Sequence, residues 1–155
     1  MSQSTASHTE PGRAQAQAQP QALVQLLRGV GEDLRDYDSL LAMLDGQFHA
    51  ALHHDAAQLA ELSDSVASLV DVLNGRREVR VNLVAMLCGA GAPISAAFAL
   101  LAGKHRSTLE SGWQALEKLV RDCKDRNARN CRLLMDQQSI MQRVLHGEQQ
   151  IYVPA

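Results

Sequence analysis

The sequence predicts an all-α fold: an elongated antiparallel bundle of three long helices with one short helix at the second turn. Three observations lead there. Hydrophobic residues make up 46% of the chain and aromatic ones only 3%, so the apolar content is mainly Ala, Leu and Val. That profile suits helix packing and argues against a β-sandwich, which draws on β-branched and aromatic side chains. Apolar residues recur in alternating steps of three and four through three long stretches, the period of an amphipathic helix. The last stretch, Ser107 to His146, would be a helix of roughly 60 Å, which needs partners of similar length.

Residues 1–19 are rich in Gln, Ala and Ser with almost no large apolar side chain. They cannot offset the entropy of ordering and are expected to form a flexible tail. A helical domain is expected over residues 20–147, followed by a C-terminal tail over 148–155. Pro20 suits a first helical turn. The stripe that follows is Leu23, Leu27, Val30, Leu34, Tyr37, Leu41, Leu44, Phe48 and Ala51, with Leu26, Leu40 and Leu52 widening it for more than one neighbour. Gly29, Gly31 and Gly46 each weaken this helix by up to about 1 kcal/mol relative to Ala. Close helix approach and local bending both remain open as reasons for them.

His53-His54-Asp55 marks a turn, with Asp55 as N-cap and Gln58 in the reciprocal position. The second stripe is Leu59, Leu62, Val66, Leu69, Leu73, Arg76, Arg80, Leu83 and Leu87. So short a connection predicts an αα-hairpin. Arg76 and Arg80 fall on its apolar face, where they either snorkel outward or pair with an acid on a neighbouring helix. Val81 to Gly103 carries no charge, yet Asn82, Pro93, Ser95 and a Gly-Ala-Gly-Ala-Pro break interrupt it. The segment is therefore read as a helix end plus a short helix near residues 94–102, not a membrane span.

The third long helix opens on Ser107-Thr108-Leu109-Glu110, a capping-box pattern. Its stripe is Trp113, Leu116, Val120, Cys123, Asn127, Asn130, Leu134, Gln137, Met141 and Val144, and Gly147 is a natural stop. Arg121, Lys124, Arg126, Arg129 and Arg132 interleave with Asp122 and Asp125, the pattern of a solvated, salt-bridged face. The net charge of -2 gives no basis for general nucleic-acid binding.

Catalytic and metal chemistry find little support. His49 and His53 share a helix face at i, i+4, but no third ligand or carboxylate base stands at usable spacing. There is no P-loop, no GxSxG and no HExxH. Cys88, Cys123 and Cys131 are odd in number and lack CxxC spacing, which points to a reducing compartment and to neither a disulfide framework nor a metal site. With no signal-peptide layout at its N-terminus, the chain is read as a cytoplasmic non-enzyme without cofactor.

Polarity on the third helix stands out instead. Asn127, Asn130 and Gln137 occupy positions where apolar residues would pack better. Buried Asn can fix register; equally, the seam from Asn127 onward can belong to another protein. Leu133, Leu134, Ile140, Met141, Val144 and Leu145 spread around more of the helix than one internal face requires.

This helix resembles that of the flagellar type III export chaperones of the FlgN family. The resemblance is carried by Trp113 ahead of the amphipathic run and by Asn127-Ala128-Arg129-Asn130-Cys131-Arg132-Leu133-Leu134. The family pattern is similar: N-x-x-N-G, two apolar residues, a long amphipathic helix and a tail carrying a Tyr, here Tyr152. Cys131 stands where the family usually has Gly, and Val153-Pro154 follows the Tyr in place of a Gly-containing tail. The resemblance extends over residues 23–152. It implies a cytoplasmic chaperone that binds the hook-associated proteins FlgK and FlgL and delivers them to the export gate, contacting FlhA and possible partner FliJ. Asn127, Asn130, Leu134, Ile140, Met141, Val144 and Leu145 are then expected to bind the substrate protein, and Tyr152 the gate. The alternative is a self-associating coiled-coil scaffold or adaptor with no export client.

Overall fold

The computed structural model describes residues 11–151, and the side chains of residues 19–147. Four helices follow one another: α1 (Pro11–Leu52), α2 (Ala56–Cys88), α3 (Ile94–Phe98) and α4 (Gly103–Ile151). Three are long and no strand occurs among the described residues, as the helical periodicity required.

α1 is the spine. α2 returns along it as an antiparallel hairpin, and α4 runs back up its other side, so that α1 and α4 end up parallel. The apolar stripe of α2 is its covered face: Leu73 is buried, and Leu59, Leu62, Val66, Leu69, Leu83 and Leu87 are partly so. The core is strung out along the bundle in three clusters. Leu40, Leu44, Leu73 and Cys123 form the one nearest the α1–α2 turn. Val30, Leu109 and Leu116 occupy the middle. Leu23, Leu26, Val84 and Ala97 form the cluster at the far end, where α3 packs against α2 and α4.

The α1–α2 turn follows from its residues. His54 takes a left-handed φ of 54°. Its N–H bonds Ala51 O at 3.2 Å, while Asp55 N–H bonds Ala50 O at 2.9 Å, the paired pattern that satisfies the last carbonyls of a helix. Asp55 then caps α2, its Oδ1 accepting from Gln58 N–H at 3.1 Å, as the sequence indicated.

Midway along the hairpin lies a charged knot. Asp33 is 1% exposed and accepts from Arg76 Nη1 through one oxygen and from Arg80 Nη1 through the other. Arg76 also reaches Asp36 at 2.9 Å and Glu32 at 3.2 Å. The guanidinium of Arg80 sits 5.2 Å above the Trp113 ring of α4. Of the two readings open for these arginines, pairing with an acid is the one realised.

The glycines separate into two kinds. A Cβ on Gly46 would stand 3.1 Å from Leu62 Cδ1 of α2, and one on Gly112 would stand 3.2 Å from Val30 Cγ1 of α1. These mark close helix approach. Gly31 faces open space, so no packing constraint explains it.

Four helix limits differ from the expected ones. α1 is already helical from Pro11 and contains Pro20; the Gln-Ala run ahead of Pro20 has high helix propensity of its own. α4 begins at Gly103 instead of Ser107. The left-handed turn at Gly103, with φ 58°, sets that start. Ser107 Oγ and Thr108 Oγ1 therefore bond back to the carbonyls of Gly103 and Lys104, and Glu110 pairs with Arg106 instead of closing a capping box. α3 ends at Phe98, four residues short of Ala102, in turns at Leu100 and Leu101. α4 runs through Gly147 to Ile151; a glycine lowers helix propensity without forbidding the helical region.

Candidate partner-binding face

α4 is tied to α1 by a ladder of side-chain donors. Cys123 Sγ–H points to Tyr37 O at 3.7 Å, Asn130 Nδ2 bonds Leu44 O at 2.8 Å, and Gln137 Nε2 bonds Ala51 O at 2.9 Å. Each pair is separated by 86 residues and the rungs recur every seven, the repeat at which one helix seam meets another. Asn130 is buried and also bonds Gln47 Oε1 at 3.3 Å. Asn130 and Gln137 are therefore register pins here, whereas Asn127 is exposed.

Basic side chains clip the rim of the same contact. Arg126 and Arg129 both reach Asp45 of α1, at 3.0 and 3.2 Å, and Arg129 lies 3.9 Å over the Phe48 ring. Two of the five basic residues expected on a solvated face thus bridge helices instead. With their partner partly exposed, each ion pair is worth at most about 1 kcal/mol.

The ladder decides where support ends. Its offset puts Gln138 opposite Leu52, the last residue of α1. From Ser139 to Ile151 α4 therefore continues without α1, a projection of roughly 20 Å at 1.5 Å per residue. Ile140, Met141, Val144 and Leu145 lie on it, and each keeps more than half of its surface in contact with solvent. Leu134, one turn before the last anchor, is 39% exposed, and Met135 is exposed on the neighbouring face. Val144 falls one heptad beyond Gln137, so the seam that met α1 continues uncovered past its end.

The expected contact residues thus divide. Leu134, Ile140, Met141, Val144 and Leu145 form one exposed run; Asn127 is exposed well before it; Asn130 is turned inward. Tyr152 lies outside the described residues. Sequence reasoning missed Asp33, Arg129 and the role of Cys123 as a rung. The signal for Asp33 was its spacing of three from Val30, on the side of α1 where Leu26 is buried.

Burial leaves its mark on two titratable groups in the α1–α4 contact. The Cys123 thiol is pushed up to about 11, chiefly by burial against the weaker pull of Arg126. The Tyr37 phenol is raised, by burial first and by Asp33 second. Among the described residues no three His, Cys, Asp or Glu side chains gather where a metal could sit. His53 Nδ1 lies 2.7 Å from His49 O, within its own helix end. Among the described residues no helix is long and apolar enough to cross a membrane.

Comparison with known proteins adds one strong match. A family model described as FlgN protein matches residues 14–150, a span that takes in all three long helices and the projecting part of α4. Neither a curated protein nor a solved structure matches the chain.

Proposed function

The chain belongs to the FlgN family of flagellar export chaperones, and from that premise we propose that it binds the hook-associated proteins FlgK and FlgL through the projecting end of α4. The observation supporting this is the uncovered seam beyond α1: Ile140, Met141, Val144 and Leu145, with Leu134 at its root. A client segment that is apolar and unfolded alone gains a helix face to fold against, and the contact buries surface that α4 leaves in water. Each large apolar side chain fully covered in this way contributes about 1.5–3 kcal/mol before the cost of ordering the client. Met141 supplies an unbranched, adaptable contact suited to more than one client sequence.

In this reading Asn130 and Gln137 act at one remove. They hold α4 to α1, and the projection then stands at a fixed angle to the bundle. Asn127 lies on the exposed approach. The chaperone works in the cytoplasm without hydrolysis of its own, and Tyr152 contacts the export gate through FlhA, with FliJ as a second contact on the export side.

The test is capture of purified FlgK and FlgL by the full chain and by a chain ending at Gln138. The shortened chain keeps every rung of the ladder and is expected to fold with an unchanged melting profile while losing both clients. Undiminished capture would refute the assignment. The rival reading, a self-associating scaffold, predicts a stable homo-oligomer by light scattering that dissociates when Met141 and Val144 are replaced by Asp.

A further inference from the structure

α2 and α4 both pack on α1, and between them Arg80 of α2 covers Trp113 of α4. Between them runs a groove of about 530 Å³. Tyr37 of α1 and Leu116 and Val120 of α4 make its floor. Its rim is basic: Arg77 on the α2 side, Arg121 and Lys124 on the α4 side, against the single acid Glu117. Arg77, Arg121 and Lys124 are exposed, and none of them takes part in an ion pair among the described residues.

We propose that this groove is a second docking site, which takes a helix of another protein whose apolar stripe is flanked by acidic residues. From Trp113 to Lys124 it extends roughly 17 Å along α4, about three helical turns. A helix laid there would complete a four-helix arrangement over the apolar floor, with its carboxylates facing the three unpaired cations. Charge selects against a second copy of this chain as occupant. The apolar run of the projection, Ile140 to Leu145, has Arg143 as its charged residue, with Glu148 lying beyond it, so that run would bring like charge to the rim. A single-stranded nucleic acid is disfavoured too, because Trp113 is the groove's indole and Arg80 already covers one of its faces. The groove lies along the middle of α4, before the last rung at Gln137, and the projection begins after it. A partner here and a client at the projection do not compete for surface.

Trp113 is the sole tryptophan of the chain and lines the groove, so its emission reports occupancy. The probe is a short synthetic helical peptide with a Leu stripe flanked by Glu, set against the same peptide with Lys in place of Glu, each titrated into the full chain. The Glu peptide is expected to shift Trp113 emission saturably, less at high salt, and the Lys peptide to leave it unchanged. The double variant R121E/K124E, both positions being exposed, should bind the Glu peptide about tenfold more weakly with an unchanged melting temperature. R77E tests the α2 wall independently and should weaken binding in the same direction. No emission change, an equal response to both peptides, undiminished binding by both variants, or displacement of the peptide by a single-stranded oligonucleotide would each overturn the proposal.

Discussion

Replacing Asp33 by Asn removes a charge and leaves the side-chain shape almost unchanged, so it isolates the electrostatic share of the hairpin knot. Asp33 is 1% exposed and satisfies two guanidinium groups at once. Arg76 retains Asp36 and Glu32 in the variant. Arg80, whose side chain is 14% exposed, retains the Trp113 ring. Leaving a buried charge without its partner costs about 3–5 kcal/mol, and the surviving partners of Arg76 favour the lower end of that range. A loss of about 3 kcal/mol corresponds to a melting temperature lower by roughly 6–12 °C for a domain near this size. Circular dichroism at 222 nm, followed through heat and through urea, measures both. The companion variant D33L/R76M/R80M removes all three charges and is expected to recover wild-type stability to within about 1 kcal/mol, because an apolar replacement also removes the desolvation cost. A loss below about 1 kcal/mol in D33N would refute the reasoning, since it would mean that water already reaches the knot.

Asn130→Ala should destabilise by about 1–3 kcal/mol in urea, since the carbonyl of Leu44 and the amide of Gln47 lose a buried partner; a change within experimental error would dissolve the ladder as a structural device. Cys123 should resist alkylation in the folded chain while the exposed Cys131 reacts. Burial raises the Cys123 thiol from 9.0 to about 11, so its contribution is complete below the lower value and is lost as pH rises toward the upper one. The urea midpoint should therefore fall across that interval, and less steeply in C123A. Gly31→Ala is expected to stabilise by about 0.5–1 kcal/mol, because the position faces open space in mid-helix; destabilisation would show a contact made there by another molecule or a bend that glycine permits.

How much of this was legible beforehand depended on whether the information was local. Leu59 to Leu87 announce one face of α2 at helical spacing, and every one of those residues is buried or partly buried. Asp55 and Gln58 declare the start of α2 in four residues. Ser107 and Glu110 show the same local pattern, and there it misleads, because the left-handed Gly103 had already begun the helix. The acids of α1 illustrate a different limit. Glu32, Asp33, Asp36 and Asp38 are alike as letters, and the arginines arriving from α2 decide that Asp33 goes inside. The exposed run on α4 was visible as apolar residues too widely spread for one face. Its starting point was not, since that depends on where α1 stops against α4, and contacts 86 residues apart set that alignment.

The ladder repeats every seven residues, and a repeating ladder has more than one place to rest. Slide α4 by one heptad and Asn130 faces Ala51 in place of Leu44, with its hydrogen bond intact. Such a slip would carry the tip of the helix about 10 Å along the bundle. Gly112 disfavours that second notch. A Cβ at its position would stand 3.2 Å from Val30 Cγ1, so His105 or Leu119, the residues one heptad away on either side, would each require Val30 to give way. A single hydrogen atom in place of a side chain thus works like the index pin of a vernier, and sets how far the working end of the molecule reaches.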